Sequence, residues 1–171
     1  MKKLLLVLLF VPMISFGQTQ DEYIERGIAA FEAGDYYGAI NQYNKALEFK
    51  NRWAYIWNLI GNVKFSLKDY EGAIENYTKA IDSSIYWSDM PDYYYNRGVC
   101  KMNLGDTVSL ISAQLDFTLA IKQNPDYTDA YRMRGVLRET FQDSDRACDD
   151  WKKAASLGDS EAAQWVREEC N

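Results

Sequence analysis

Beyond residue 19 the apolar positions recur every three or four residues, as at Tyr36, Ile40, Tyr43 and Leu47. That spacing places them on one face of an α-helix. No segment shows the sustained apolar–polar alternation of a strand. The beginning of the chain is patterned differently. Lys2 and Lys3 precede an unbroken apolar run of 11 residues from Leu4 to Ile14, and Ser15-Phe16-Gly17 follows with small residues at both ends. A basic start, a short apolar run and a small-residue cleavage site predict a secretory signal peptide over residues 1–17. A spanning helix needs roughly 20 apolar residues, so this run is short for an anchor. No cysteine follows it to carry a lipid.

The helical pattern repeats. GDYYGAINQYNKALEF (34–49) aligns with KDYEGAIENYTKAIDS (68–83) at a period of 34. A small residue recurs at Gly27, Gly61, Gly98 and Gly135, in steps of 34, 37 and 37. An aromatic four positions earlier (Tyr23, Trp57, Tyr94, Tyr131) and a turn aspartate (Asp35, Asp69, Asp106, Asp143) keep the same steps. Ala39, Ala73, Ala113 and Ala147 step by 34, 40 and 34. So do Tyr43, Tyr77, Phe117 and Trp151, and Ala46, Ala80, Ala120 and Ala154. The departures from 34 place one three-residue insertion near Ser88-Asp89-Met90 and another between Asp106 and Ala113, expected where two helices join.

Each unit reads as two antiparallel helices. The small residues let them approach closely and the aromatics fill the space between pairs. Gly34, Gly105 and the aspartates suit a tight connection. One such pair cannot bury its apolar face alone, so pairs must stack.

A 34-residue unit with this order of aromatic, glycine, Gly-Asp-Tyr, alanine, aromatic and alanine resembles the tetratricopeptide repeat. The resemblance implies an all-α solenoid of about four helix-turn-helix repeats, over 20–53, 54–87, 91–127 and 128–161, with a capping helix at 162–171. The C-terminal stretch from Ala147 to Cys170 also resembles the ends of exported family members from Bacteroidetes-type bacteria.

Composition narrows the chemistry. There are 19 Lys and Arg against 25 Asp and Glu, a net charge of −6, and no histidine. Without residues 1–17 the cations fall to 17 and the balance to −8. The lack of histidine removes Ser-His-Asp and Cys-His catalysis and histidine-ligated metals. The acidic balance disfavours nucleic acid. There is no phosphate-binding glycine loop and no nucleophile beside a base, so neither catalysis, a cofactor nor a metal is expected. Adjacent carboxylates such as Asp149-Asp150 do not converge on one point of a helix.

Three cysteines are present. Cys100, inside a first helix, reads as a buried thiol. Cys148 starts one helix and Cys170 ends the next, so an antiparallel arrangement brings them within reach of a disulfide. The alternative is two small apolar residues in a packed interface.

In the family the first helices line a concave groove. Carried over position by position, the groove-facing residues are Tyr55, Asn58, Asn62, Phe65 and Ser66 in repeat two and Asp92, Tyr95, Val99, Met102 and Asn103 in repeat three. Repeat four offers Asp129, Arg132, Val136, Glu139 and Thr140, and repeat one offers Asp21, Ile24, Ile28, Phe31 and Glu32. Within Tyr93-Tyr94-Tyr95, Tyr94 is a packing position, Tyr95 faces the groove and Tyr93 is open. A family subset grips a C-terminal carboxylate with two asparagines and three cations. Asn62 and Asn96 match the asparagines, but Asn58, Asp129 and Met133 stand where cations are needed, and only Arg132 lies near. The groove is one of aromatics and amides. The expected function is a non-enzymatic scaffold or adaptor, exported to the periplasm or cell envelope, binding a protein or peptide. Binding of an envelope carbohydrate or small ligand by groove tyrosines and amides is the alternative, and self-association through an imperfectly capped end is a further possibility.

Overall fold

The computed structural model describes residues 19–49 and 51–170. The expected signal segment, 1–17, lies outside the described residues. Nine α-helices run through the described part: α1 (Gln20–Glu32), α2 (Tyr36–Ala46), α3 (Trp53–Ser66), α4 (Tyr70–Ser83), α5 (Met90–Leu104), α6 (Thr107–Gln123), α7 (Thr128–Thr140), α8 (Ser144–Ser156) and α9 (Ser160–Glu169). Each packs chiefly on its neighbours in the chain, first to second helix within a pair and pair against pair. This is an all-α solenoid, and the core is a string of clusters rather than one centre.

The pairing follows from one repeated contact. A Cβ built on Gly27, Gly61, Gly98 or Gly135 would lie 2.3, 2.6, 2.8 or 2.4 Å from the ring of Tyr43, Tyr77, Phe117 or Trp151. Only glycine lets the ring of the second helix lie on the backbone of the first. Fully buried alanines flank each contact, among them Ala39, Ala46, Ala73, Ala80, Ala113, Ala120, Ala147 and Ala154.

The turns are built by aspartates. Asp35, Asp69, Asp106 and Asp159 accept hydrogen bonds from the backbone N–H three residues on, at 2.8–3.0 Å. They occupy donors that a helix start leaves unpaired. Gly34 and Gly105 supply the left-handed turn residue at φ 79° and 76°, and Lys68 and Gln142 take the same conformation at 62° and 59° in repeats two and four. The cap helix begins at Ser160 rather than Ala162, because Asp159 caps it.

One expectation is corrected. The insertion between Asp106 and Ala113 does not sit in the joint between helices. Asp106 caps α6 as Asp69 caps α4, and the three extra residues form nearly one more turn at the start of α6, which runs to 17 residues. The other insertion forms a 3-10 turn over Trp87–Asp89.

Repeats three and four carry buried carboxylates at one equivalent position. Asp116 accepts from the Arg97 guanidinium at 3.0 and 2.7 Å and from Lys101 at 2.8 Å. Asp150 accepts from Arg134 at 2.9 and 2.7 Å and from Arg138 at 2.8 Å. Repeats one and two place Gln42 and Asn76 there. Arg97 also donates to Thr78 and Arg134 to Thr118, at 3.1 and 3.2 Å, so each network reaches into the preceding repeat.

Cys148 and Cys170 are joined by a disulfide with Cα atoms 5.5 Å apart. It fixes α9 over α8, where Trp165 lies 5.3 Å from Trp151 between ring centres. Cys100 is a buried free thiol whose pKa burial pushes up to about 12. Among the described residues no helix is long and apolar enough to cross a membrane.

Candidate functional site: the concave groove

A cleft of about 370 Å³ opens where α1, α3 and α5 lie side by side, lined by Phe31, Asn62, Phe65, Ser66, Tyr77, Tyr95, Asn96 and Val99. Its walls are aromatic. Phe31 leans on Tyr36 and Phe65 on Tyr70, both with ring centres 5.7 Å apart. Tyr95 packs between Phe117 and Tyr127 at 5.7 and 5.3 Å. Burial, and then the nearby Asp129 carboxylate, raise the Tyr95 phenol above its ordinary pKa. It therefore stays a neutral hydroxyl.

Two amides form the polar part. The Tyr77 hydroxyl donates to Asn62 Oδ1 at 2.7 Å. Asn62 is thus left to offer its NH2 as a donor. Asn96 Nδ2 donates to Asn58 Oδ1 at 3.2 Å, so Asn96 offers its Oδ1 as an acceptor. One donor and one acceptor in the same cleft suit a chain backbone, which presents one C=O and one N–H per residue. None of the lining residues is charged.

The candidate residues divide accordingly. Asn62, Phe65, Tyr95 and Val99 come together in the cleft, and Asn58 joins them through Asn96. Tyr55 does not. It lies under the Arg52 guanidinium, 5.2 Å from its ring centre, and lines a separate cleft of about 600 Å³ with Trp53, Ser84, Ile85, Tyr86 and Asp89. Met102 is half-buried against the core of repeat three. Val136 and Glu139 stand apart, half-buried and exposed. Arg132 is engaged by Asp129, Asp159 and Glu161 at 2.9, 2.8 and 3.1 Å, so its charge is spent locally. Tyr93, open from sequence, is buried at 3% exposure.

Two contributors fall outside the sequence-derived groove set. Asn96 was matched only as one of the clamp asparagines. Tyr77 occupies a packing position, and its ring does pack; its hydroxyl passes beyond Gly61 to reach Asn62. The signal was present in the residue type, since Phe117 at the same position has no hydroxyl to offer.

Residues 54–84, nearly all of α3 and α4, match the family model of the tetratricopeptide repeat. Residues 54–84 are a tetratricopeptide repeat, and the neighbouring helix pairs follow the same helix-turn-helix course. Solved tetratricopeptide-repeat structures share the course of the chain. A MamA protein is 24% identical with a TM-score of 0.75, covering 88% of this chain and 80% of that one. The first repeat domain of Spaghetti (RPAP3), bound to the HSP90 peptide SRMEEVD, is 28% identical with a TM-score of 0.62, covering 70% and 91%. YrrB, described as having an unusual peptide-binding site, is 20% identical with a TM-score of 0.70, covering 87% and 74%. No curated protein matches the sequence.

Proposed function

We propose that this protein is a non-enzymatic adaptor that takes an extended, uncharged segment of a partner protein in its concave groove. The observation that carries the reading is the cleft across repeats one to three. Aromatic walls offer apolar area at low entropy cost, and Asn62 and Asn96 offer a donor and an acceptor to a backbone. With Arg132 neutralised by three carboxylates, the described residues that line the cleft include no cation to grip a terminal carboxylate. Peptide binding by Spaghetti and YrrB supports the class of ligand, while the uncharged cleft argues for a different sequence from SRMEEVD. The adaptor is exported after removal of residues 1–17, a reading supported by the disulfide, which persists in oxidising compartments. The intact mass of the secreted form tests that part: a chain still beginning at Met1 overturns it.

The groove is tested by crosslinking capture from the native cell envelope with Ser66→Arg combined with Asn96→Ala. Ser66 is exposed, so the new arginine fills the cleft without disturbing the core. A protein captured by the wild type and lost with the variant is expected. Equal capture by both overturns the groove assignment. A second reading, glycan binding, is favoured by the larger cleft, whose Trp53, Tyr55 and Tyr86 supply flat faces beside Asn51 and Asp89. Retention on a glycan array that is lost with Tyr86→Ala is its expected outcome.

A further inference from the structure

The second helices present one surface position that the fold leaves free, and repeat three uses it differently from the others. On α6, Val108, Ile111, Leu115 and Leu119 are 74, 51, 61 and 36% exposed. They lie on the face opposite the buried Ala113, Asp116, Phe117 and Ala120, at spacings of three, four and four. The equivalents of Ile111, Leu115 and Leu119 are Tyr37, Asn41 and Lys45 on α2, Glu71, Glu75 and Lys79 on α4, and Asp145, Asp149 and Lys153 on α8. Packing therefore does not require apolar residues there. Val108 belongs to the extra turn that only α6 possesses.

We infer that this stripe is the contact surface for a second copy of the chain, packed α6 against α6 in antiparallel fashion. Three observations point to that occupant. The first is self-complementarity. The spacings read nearly alike in both directions, so a two-fold axis crossing the stripe midway between Ile111 and Leu115 sets Val108 against Leu119 of the second copy and Ile111 against its Leu115. Such a contact is isologous and closes at a dimer. The second is charge. The chain carries −6, and two copies repel over most of their surface. From Thr107 to Ile121 the only charged residue is Asp116, which is buried and paired with Arg97 and Lys101. The face of α6 is where a like-charged copy can approach without opposing charges. The third is area. The stripe is roughly 16 Å long and exposes roughly 350 Å² of apolar side chain, as large as the main patch of many monomers. Two stripes supply about 700 Å², a core that a polar rim brings toward the ~1,600 Å² of a standard interface. The stripe shares no residue with the groove, so a dimer would display two grooves.

Sedimentation velocity of the full protein over about a hundredfold range of concentration, reaching roughly 100 µM, tests this. The wild type is expected to pass from one copy to two, more readily as salt screens the net charge. Ile111→Glu with Leu115→Glu reproduces the glutamates that α4 carries at these positions, so the fold is retained. Its thermal midpoint, measured alongside, stays near the wild-type value, while the dimer is weakened at least about tenfold. A wild type that remains one copy throughout overturns the inference, as does a dimer untouched by the double variant. Flotation with neutral phosphatidylcholine vesicles supplies the other arm: capture of a monomeric wild type, lost in the variant, assigns the stripe to a lipid surface instead.

Discussion

Gly61 and Tyr77 are a single contact with two consequences. A Cβ on Gly61 would lie 2.6 Å from Cε1 of Tyr77, and the hydroxyl of the same ring donates to Asn62 in the groove at 2.7 Å. The close approach that joins α3 to α4 also sets the orientation of a groove amide.

Gly61→Ala should therefore lower stability and binding together. The ring must move by several tenths of an ångström, an overpacking cost of about 1–3 kcal/mol. Moving it displaces the hydroxyl from Asn62, so affinity for the groove ligand falls as well. Gly135→Ala meets Trp151 at 2.4 Å, in a repeat that does not line the cleft. It should cost similar stability and leave Asn62 in place. Urea unfolding and a binding assay on both variants separate the two consequences.

Tyr77→Phe isolates the second. The ring keeps its place against Gly61, and one hydrogen bond is lost. Stability should fall by about 1 kcal/mol. Asn62 is then free to turn, and ligand affinity should drop by more than the stability does. Unchanged affinity in a folded variant would show that the Asn62 amide is not a recognition element.

The periodic part of this architecture was legible because each repeated residue type does a fixed physical job. Glycine beneath a ring, alanine between helices and aspartate at a turn recur at constant steps and mark the helix pairs. What escaped was contact between residues that the period does not relate. The insertion before Ala113 lengthened α6 because Asp106 still capped the helix, and spacing alone does not distinguish a longer loop from a longer helix. Tyr55 occupies a groove position by count, yet Arg52 draws it toward another cleft. Arg132, on α7, looked available because Asp159 and Glu161, which engage it, belong to the start of α9, two helices on. Asn96 and Tyr77 act through partners 38 and 15 residues away.

Asp116→Asn is expected to be among the most destabilising single polar substitutions. The carboxylate is 2% exposed and neutralises both Arg97 and Lys101. Asparagine keeps one acceptor oxygen, replaces the other with an NH2 donor and leaves two half-buried cations without a counter-charge, a loss of about 3–5 kcal/mol. Repeat two tolerates Asn76 because its own environment was built for it: Asn76 Nδ2 donates to Gly72 O at 2.6 Å. Because Arg97 also holds Thr78, the variant should loosen repeat two from repeat three. Unfolding should broaden as well as shift.

Alkaline pH should unfold the array through its buried phenols. Burial, followed by Tyr55 and Glu32, raises Tyr43 to about 12; burial, followed by Asp89 and Asp92, raises Tyr93 to about 12. Both folded-state values exceed the ordinary value near 10. The unfolded chain therefore releases these protons first. The contribution is fully present below about pH 10 and is lost as pH rises toward about 12. Denaturant unfolding across that window should show stability falling with each step in pH. Tyr93→Phe should flatten the slope, because phenylalanine has no proton to lose.

The disulfide makes the C-terminal cap conditional on oxidation. Cys148 and Cys170 close a loop with a sequence separation of 22, worth about 3 kcal/mol through restriction of the unfolded chain. Apart from that bond, α9 is held by Ala162, Trp165 and Val166 against the core of repeat four and by Arg132 on Asp159 and Glu161. Ten residues of helix held by one repeat alone are marginal. Reduction should release α9 before the rest unfolds, opening the 4%-exposed Trp151 to water. Tryptophan emission should then shift to the red at denaturant concentrations where helix content in the other repeats is intact. A chain with Cys148→Ala and Cys170→Ala should behave like the reduced wild type and ignore added reductant. If reduction instead lowers the midpoint of one unchanged transition, α9 is integral to the stack, and the disulfide stabilises the whole array rather than its end.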